Sequence, residues 1–438
     1  MAKNFSIIKR SEVLFLIVFV LTMTLSATIT YAQSEENVLL LDSLIEAALK
    51  NNPQLQSLHS AVLVDSVKIP QSGALPDPVL TLSMMNLPTN SFALDQEPMT
   101  GKQITLMQLF PFPGKLGLKE KISSEAKAVS DANYREYRNQ LIRNVKTAYF
   151  DLFFIDKSIE ITDKNRQLLQ EFADIAEARY KVGRGLQQDV LKVQVEISKM
   201  IDHLIQLKQK RTVKQAALNT IINKSADNTL GKPQELEFLN FNKTLDSLQA
   251  MALIYRPLLS GWTSMRIQSS YQVDLAKKDY WPNIGIFLAY TQRNRLQNGS
   301  PGYDFVSGGL SLNIPIYSGS KQSKKVEETA YHKQMVDERY RQTLNQINFE
   351  LETKRTSAEK NAELVELFKT GIIPQASQSL ESALTGYQTD KVDFLTLINN
   401  QITLFNYQLE YYRVLSDYNK DLAGLEYITG FQFTNSNM

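Results

Sequence analysis

The chain has 438 residues, with 48 Lys and Arg against 46 Asp and Glu, so it is nearly neutral and lacks the basic footprint of a nucleic-acid-binding protein. It contains no cysteine, which excludes disulfides, thiolate metal sites and a lipidated N-terminal cysteine. Its 43% hydrophobic and 21% charged residues are ordinary for a folded protein.

Residues 1–32 read as a secretory signal peptide. Lys3, Lys9 and Arg10 form a basic start, Val13 to Leu25 an apolar centre, and Thr30-Tyr31-Ala32 a small-residue cleavage site before Gln33. Beyond Gln33 no apolar run reaches the 18 residues of a spanning helix, so the mature chain is soluble or inserts as strands.

In the first half, Ser43 and Glu46 have the spacing of a capping box, and the helix they open is predicted to end at Ile69, before Pro70. A strand follows at about 79–87, with Leu80, Leu82 and Met84 on one face and Thr81 and Ser83 on the other. After a Pro/Asn/Asp loop, a second strand at about 103–110 runs into Phe110-Pro111-Phe112-Pro113-Gly114-Lys115. From Leu118 to about Arg179, apolar residues recur in steps of three and four, predicting a helix of roughly 90 Å at about 1.5 Å per residue. Tyr180 to Gly185 turns the chain, a helix returns to about Asn223, and residues 224–243 form a polar connector.

The second half repeats this order. Leu41-Asp42-Ser43-Leu44 returns as Leu245-Asp246-Ser247-Leu248, an offset of 204 (245 − 41), and Tyr180 and Gln194 recur as Tyr387 and Gln401 at 207 (387 − 180). The predicted elements are a helix from Asp246 to about Tyr280, strands at about 283–293 and 304–314, a helix from about Ser320 to Leu384, a turn from Gly386 to Val392, and a helix to about Ile428. In the fourth strand, Val306, Leu310, Leu312 and Ile314 face one way and Ser307, Ser311 and Asn313 the other. The division is therefore a first repeat at 33–243 and a second at 244–438. A period near 200 is far too long for a solenoid unit.

The strands have the length of tilted outer-membrane strands. Four cannot close a barrel, and an open edge in lipid strands backbone groups at several kcal/mol each. If they lie in a membrane, several chains must close the wall together. The alternative from patterning alone is an exported helical scaffold with two hairpins and no pore.

The Asp42 to Leu55 opening, the Gln108-Leu-Phe-Pro-Phe-Pro-Gly-Lys115 strand exit and the paired turns Tyr180-x-x-Gly183 and Tyr387-x-x-Asp390 together resemble the TolC family of outer-membrane efflux proteins. The resemblance covers nearly all of the mature chain. It implies a mainly α fold with a small β part, in which three chains build a twelve-stranded outer-membrane barrel continued by a periplasmic α-helical barrel. It also implies a passive exit duct, docked to a periplasmic adaptor and driven by an inner-membrane pump of the resistance-nodulation-division type, with outer-membrane lipid around it and no cofactor. The Phe-Pro-Phe-Pro-Gly-Lys form looks most like the CusC/CzcC heavy-metal branch. Metal ions, small toxic compounds and type I polypeptide secretion all stay open as cargo.

By the same resemblance the tips fall at Val182, Gly183, Gly185, Leu186, Gly386, Tyr387 and Asp390, where an adaptor would dock; plain turn chemistry is the alternative reading. Asp390 departs from the glycine usual there. The periplasmic gate falls at Asp189, Lys192, Tyr387, Thr396 and Asn399, with Thr396 and Asn399 where relatives carry inward carboxylates. A solvated helix face is the competing reading for these.

No metal site is expected. His59, His203 and His332 are isolated, and Met84, Met85, Met99 and Met107 around the first hairpin read as lipid-facing filling. Phe405, Tyr407, Tyr411 and Tyr412 read as core, and Phe110, Phe112, Tyr280, Trp281 and Tyr317 as interface anchors. Glu350 and Glu352 are paired acids with no nucleophile motif or phosphate loop beside them, so no enzyme is expected.

Overall fold

The computed structural model describes residues 38–238 and 240–433, and the expected signal peptide lies outside them. In chain order the elements are β1 (Val38–Leu39), α1 (Leu41–Asn51), α2 (Pro53–Gly73), β2 (Val79–Met85), β3 (Gly101–Phe110), α3 (Lys115–Lys181), α4 (Gln187–Ile221) and β4 (Lys232–Pro233). Then come α5 (Leu245–Tyr255), α6 (Pro257–Lys278), β5 (Ile284–Gln292), β6 (Phe305–Leu312), α7 (Gln322–Leu367), a π-helical turn (Phe368–Ile372), α8 (Ile373–Gln388) and α9 (Phe394–Thr429).

The opening helix differs from its sequence reading in three ways. It starts at Leu41 behind Leu40, with no side-chain cap, so Ser43 and Glu46 do not form the capping box. It breaks at Asn52, because Pro53 lacks an N–H and forces the residue before it into extended backbone. Asn52 then caps α2, its Oδ1 accepting from the Leu55 N–H at 3.1 Å. Pro70 does not stop the helix, which runs to Gly73; Pro70 and Ser66, whose carbonyl loses its donor, are both exposed residues. The second half breaks in the same way at Arg256-Pro257, splitting the expected helix 246–280 into α5 and α6.

The strands pair in the order β2-β3-β5-β6, antiparallel throughout, as one open sheet. The register sorts the side chains into two faces. Leu80, Leu82, Ile104, Leu106, Ile286, Leu288, Leu310 and Leu312 share one, while Thr81, Ser83, Gln103, Thr105, Ala289, Ser307 and Ser311 share the other. The apolar face is bare: Leu82 and Leu310 are each 72% exposed. The methionines do not form one filling, because Met84 lies on this face and Met85 and Met107 on the opposite one. At the other end of the strands Phe112 stacks on Trp281, with ring centroids 5.3 Å apart.

Helix α3 is the spine, 67 residues or about 100 Å. It packs against α2 and α6 towards the sheet, and against α4 and α9 away from it. The shorter helices continue one another end to end. Asn52 Nδ2 donates to the last α4 carbonyl, Ile221, at 3.2 Å, and Gly430, just past α9, lies against the Tyr255 carbonyl at the α5–α6 break. Helices α1 and α5, with the parallel bridge of Val38 to Lys232, form a belt around this level. The polar connector therefore contributes a strand. Where the belt meets the spine, Lys146 and Glu426 form a buried ion pair between α3 and α9. A buried pair of this kind resists loss of either partner more than it adds stability.

The helix expected from Ser320 to Leu384 is interrupted. Pro374, near the start of α8, has no N–H for the preceding turn, and the chain widens there into the π turn. Below it, Leu169, Phe172, Val193, Tyr387, Phe394, Leu397 and Phe405 join α3, α4, α8 and α9 in one core. Tyr407 is 38% exposed and stands outside it.

Candidate functional site

The two helical pairs end side by side in two turns of one design. In the first, the Gly183 N–H donates to Tyr180 O at 3.0 Å and the Arg184 N–H to Arg179 O at 2.9 Å. This is the Schellman closure, which requires a left-handed residue, and Gly183 has φ 72°. In the second, the Asp390 N–H donates to Tyr387 O at 3.3 Å and the Lys391 N–H to Gly386 O at 2.8 Å. The left-handed residue there is Asp390, φ 59°. Helices α3 and α8 run through Tyr180, Gly386 and Tyr387, so these three residues are helical and each turn proper starts later than the sequence implied.

Arg179 joins the turns. Its Nη1 donates to Tyr387 O at 2.5 Å, its guanidinium lies 4.6 Å from the Tyr387 ring centroid, and it forms an ion pair with Asp390. A non-glycine residue in this backbone region costs about 1–2 kcal/mol, with Asp among the tolerated residues. The partner that holds Asp390 there comes from the other turn. The Arg179 Nε and the Tyr387 hydroxyl are buried without a hydrogen-bond partner.

Asp189, in the first turn of α4, faces the same cluster. Burial pushes its carboxyl above the usual range and the nearby Asp393 adds to this, while the Leu186 backbone and Arg179 oppose it. Burial, followed by the Asp189 charge, pushes the Tyr387 phenol up. Asp393 caps α9, accepting from the Thr396 N–H at 2.7 Å, and these bonds hold its carboxyl low.

Of the residues singled out from sequence, Asp189, Tyr387 and Asp390 come together around Arg179. Val182 and Leu186 are bare at the tip, 70% and 66% exposed. Lys192 does not join them, because it pairs with Glu196 along α4 at 3.5 Å. Thr396 and Asn399 are exposed on α9, with Thr396 bonded to the Asp393 cap beside Asp189. Sequence reasoning missed Arg179, whose signal lay in the repeat: the offset of 207 (386 − 179) sets it opposite Gly386. Among the described residues, no three His, Asp or Glu side chains are grouped to hold a metal ion, and no helix is long and apolar enough to cross a membrane.

The whole architecture recurs in solved structures. The chain is similar to VceC from Vibrio cholerae, with TM-score 0.76 and 17% identity over 90% of this chain and 96% of that one. It is similar to CusC, with TM-score 0.76 and 15% identity over 89% and 93%, and to the open state of MtrE from Neisseria gonorrhoeae, with TM-score 0.72 and 14% identity over 90% and 89%. At these identities the likeness is one of fold. No curated protein matches the sequence. The model of the family described as outer membrane efflux protein matches residues 44–224 and again 251–431, well over half of the chain. The chain therefore belongs to the outer membrane efflux protein family.

Proposed function

We propose that three copies of this chain close into one outer-membrane duct of a tripartite efflux system, each repeat supplying a hairpin to the barrel and a helical pair to the periplasmic tunnel. The observation that carries this is the open sheet. One face is bare and mainly apolar, interrupted by Lys102, Gln108 and Gln292; the other mixes its Thr, Ser and Gln residues with Val79, Met85, Met107, Leu109, Phe287 and Phe305; and β2 and β6 each have an unpaired edge. Lipid suits the first face and water the second, and only other strands suit the edges. Three four-stranded sheets give the twelve strands that the family resemblance implies.

Channels of this family work with an adaptor and an inner-membrane pump, so this chain needs no energy source of its own. We place adaptor docking at the two turns, where Val182 and Leu186 offer apolar contacts beside Gly183 and Gly185. The gate then consists of Arg179, Asp189, Tyr387 and Asp390, with Thr396 and Asn399 lining the ring inside. A resistance-nodulation-division pump is the partner that the resemblance favours. The heavy-metal branch rests on the Phe110-to-Lys115 motif alone, since CusC and VceC match in fold equally well.

The natural absence of cysteine supplies the test. Within one chain β2 and β6 are separated by β3 and β5. Single cysteines introduced in pairs along these two strands should therefore cross-link only between chains, giving a covalent trimer that conducts in planar bilayers. A protein that stays monomeric in lipid, without cross-links or conductance, would end this reading.

A further inference from the structure

At the belt, α3 and α7 each turn one face into a core, and α9 is buried all round. Tyr149 on α3, Ile347 and Leu351 on α7, and Leu422 and Leu425 on α9 pack in the cores beneath α1 and α5. Two residues further along each helix the direction turns by about 200°. There, Asp151, Phe349 and Thr353 line an open groove of about 770 Å³ on the opposite face of α3 and α7, closed along α9 by the buried Gly424 and by Tyr427, which also packs against the core beneath α5. In a ring of such helices with the belt outside, that face is the inner wall.

The groove is basic. Arg143, Lys214, Arg256, Lys354 and Lys420 line it, against Asp151 and Glu350. Asp151 takes Lys214 at 2.8 Å and also Lys420; Lys354 goes to Asp421 at 2.8 Å. Arg256, whose side chain is 5% exposed, pairs with Glu136 at 3.2 Å and keeps a buried Nη1 without a partner. Glu350, at the rim, accepts from Gln346 at 2.9 Å. Arg143 is different. Its guanidinium donates to Asn144 Oδ1, at 3.0 Å from Nη2, and lies 4.3 Å from the Tyr427 ring centroid. Among the described residues it meets no carboxylate. Arg256 lies 5.2 Å from the same ring, so two guanidiniums gather at one phenol with a single carboxylate, Glu136, between the two of them. Beside them Phe349 is 66% exposed.

We propose that this groove is an anion subsite on the inner wall of the duct, taking an organic carboxylate with an apolar body: Arg143 binds the carboxylate, Arg256 adds its field from beneath, and Phe349 receives the body. The assignment rests on the duct reading, which turns this face towards the lumen. An unpaired guanidinium attracts a carboxylate and repels a metal cation. At this groove an amphiphilic organic anion is therefore favoured over a metal cation.

The test uses the full-length protein in planar bilayers with 2-naphthoate as probe, 2-naphthalenemethanol as its neutral analogue and sulfate as a hydrophilic anion. Naphthoate should interrupt the current at a lower concentration than either of the others. Arg143→Gln should raise the half-blocking concentration about tenfold, the factor for one lost charge-assisted hydrogen bond, and Arg143→Lys by less. Lys360→Gln, which removes an exposed cation further along α7, should leave block unchanged. Equal block of wild type and Arg143→Gln, or sulfate or the alcohol blocking as well as naphthoate, overturns the subsite. If no channels form, the duct reading fails by itself, and calorimetry of naphthoate binding to the protein in nanodiscs decides: binding lost in Arg143→Gln sustains the subsite, and no binding to wild type removes it.

Discussion

Arg179 occupies the place in the first turn that Gly386 occupies in the second, and each is matched in size by the residue it faces. A Cβ on Gly386 would fall 2.5 Å from Val392 Cγ2, and a Cβ on Gly185 would fall 3.1 Å from Arg179 Cβ. Position 185 corresponds to 392 at the same offset of 207 (392 − 185). One turn sets a large residue before a glycine, and the other sets a glycine before a large residue. The backbone closure is the same while the side-chain roles are exchanged, which frees Arg179 to reach across.

This exchange predicts coupling between Gly386 and Val392. Gly386→Val alone should destabilise the helical tip by about 1–3 kcal/mol through overpacking. Adding Val392→Gly should recover a large part of that, which additive effects would not do. Thermal unfolding of the single and double variants measures it, and strict additivity would show that the size match is incidental.

Asp390→Gly separates stability from closure. Glycine relieves the left-handed backbone of Asp390, while the ion pair lost is with a carboxylate 64% exposed and so is largely screened. Net stability should change by less than about 1 kcal/mol. The tie between the turns is nevertheless gone, and single-channel conductance should rise. Arg179→Ala should raise it further, because it also removes the bond to Tyr387 O and the contact with the ring. Unchanged conductance in both variants would leave the turns without a gating role.

The pH response follows from Asp189. Its carboxyl is pushed up in this tip, so the neutral form is the one that packing favours. Its contribution is fully present below the ordinary carboxylate range and is lost as pH rises through the raised value. Acidification from neutrality should therefore tighten the tip and lower the open probability. Arg179 opposes the shift, and Asp393 reinforces it while ionised. Asp393 is itself held low by its cap, so its own loss comes only at lower pH and works the other way. Asp189→Asn should flatten the profile of open probability against pH between neutrality and the carboxylate range; a variant that titrates like wild type would remove Asp189 from the gate.

The sheet was legible in the sequence because period-two alternation survives where a mainly apolar face alternates with one that carries the Thr and Ser residues. Leu80, Leu82 and Met84 face as read, and Val306, Leu310 and Leu312 likewise. The helix breaks were less legible. Pro53 and Pro257 break their helices at buried residues, Asn52 and Arg256, whereas Pro70 is absorbed on an exposed face, and burial is not written in a local window. Arg179 was hidden for a related reason. Within its own helix it reads as one more solvated basic residue, and only its partner in the other half gives it a role. Lys192 differs in the opposite sense, lying 3.5 Å from Glu196 one turn away, a carboxylate that it shares with Lys199.

The two faces of the sheet differ in what a buried charge costs. Leu288 sits mid-strand on the apolar face, paired with Leu106 and Gly308, and is 59% exposed. Ser307 lies on the polar face, opposite Ala289. Leu288→Lys places a charge against hydrocarbon and should cost about 2–4 kcal/mol near the bilayer midplane, whereas a lysine on a lumen face stays hydrated. Folding into lipid vesicles, followed by the yield of heat-resistant trimer, should therefore fall sharply for Leu288→Lys and little for Ser307→Lys. The reverse order would mean that the apolar face does not meet lipid, and the barrel would have to be built inside out.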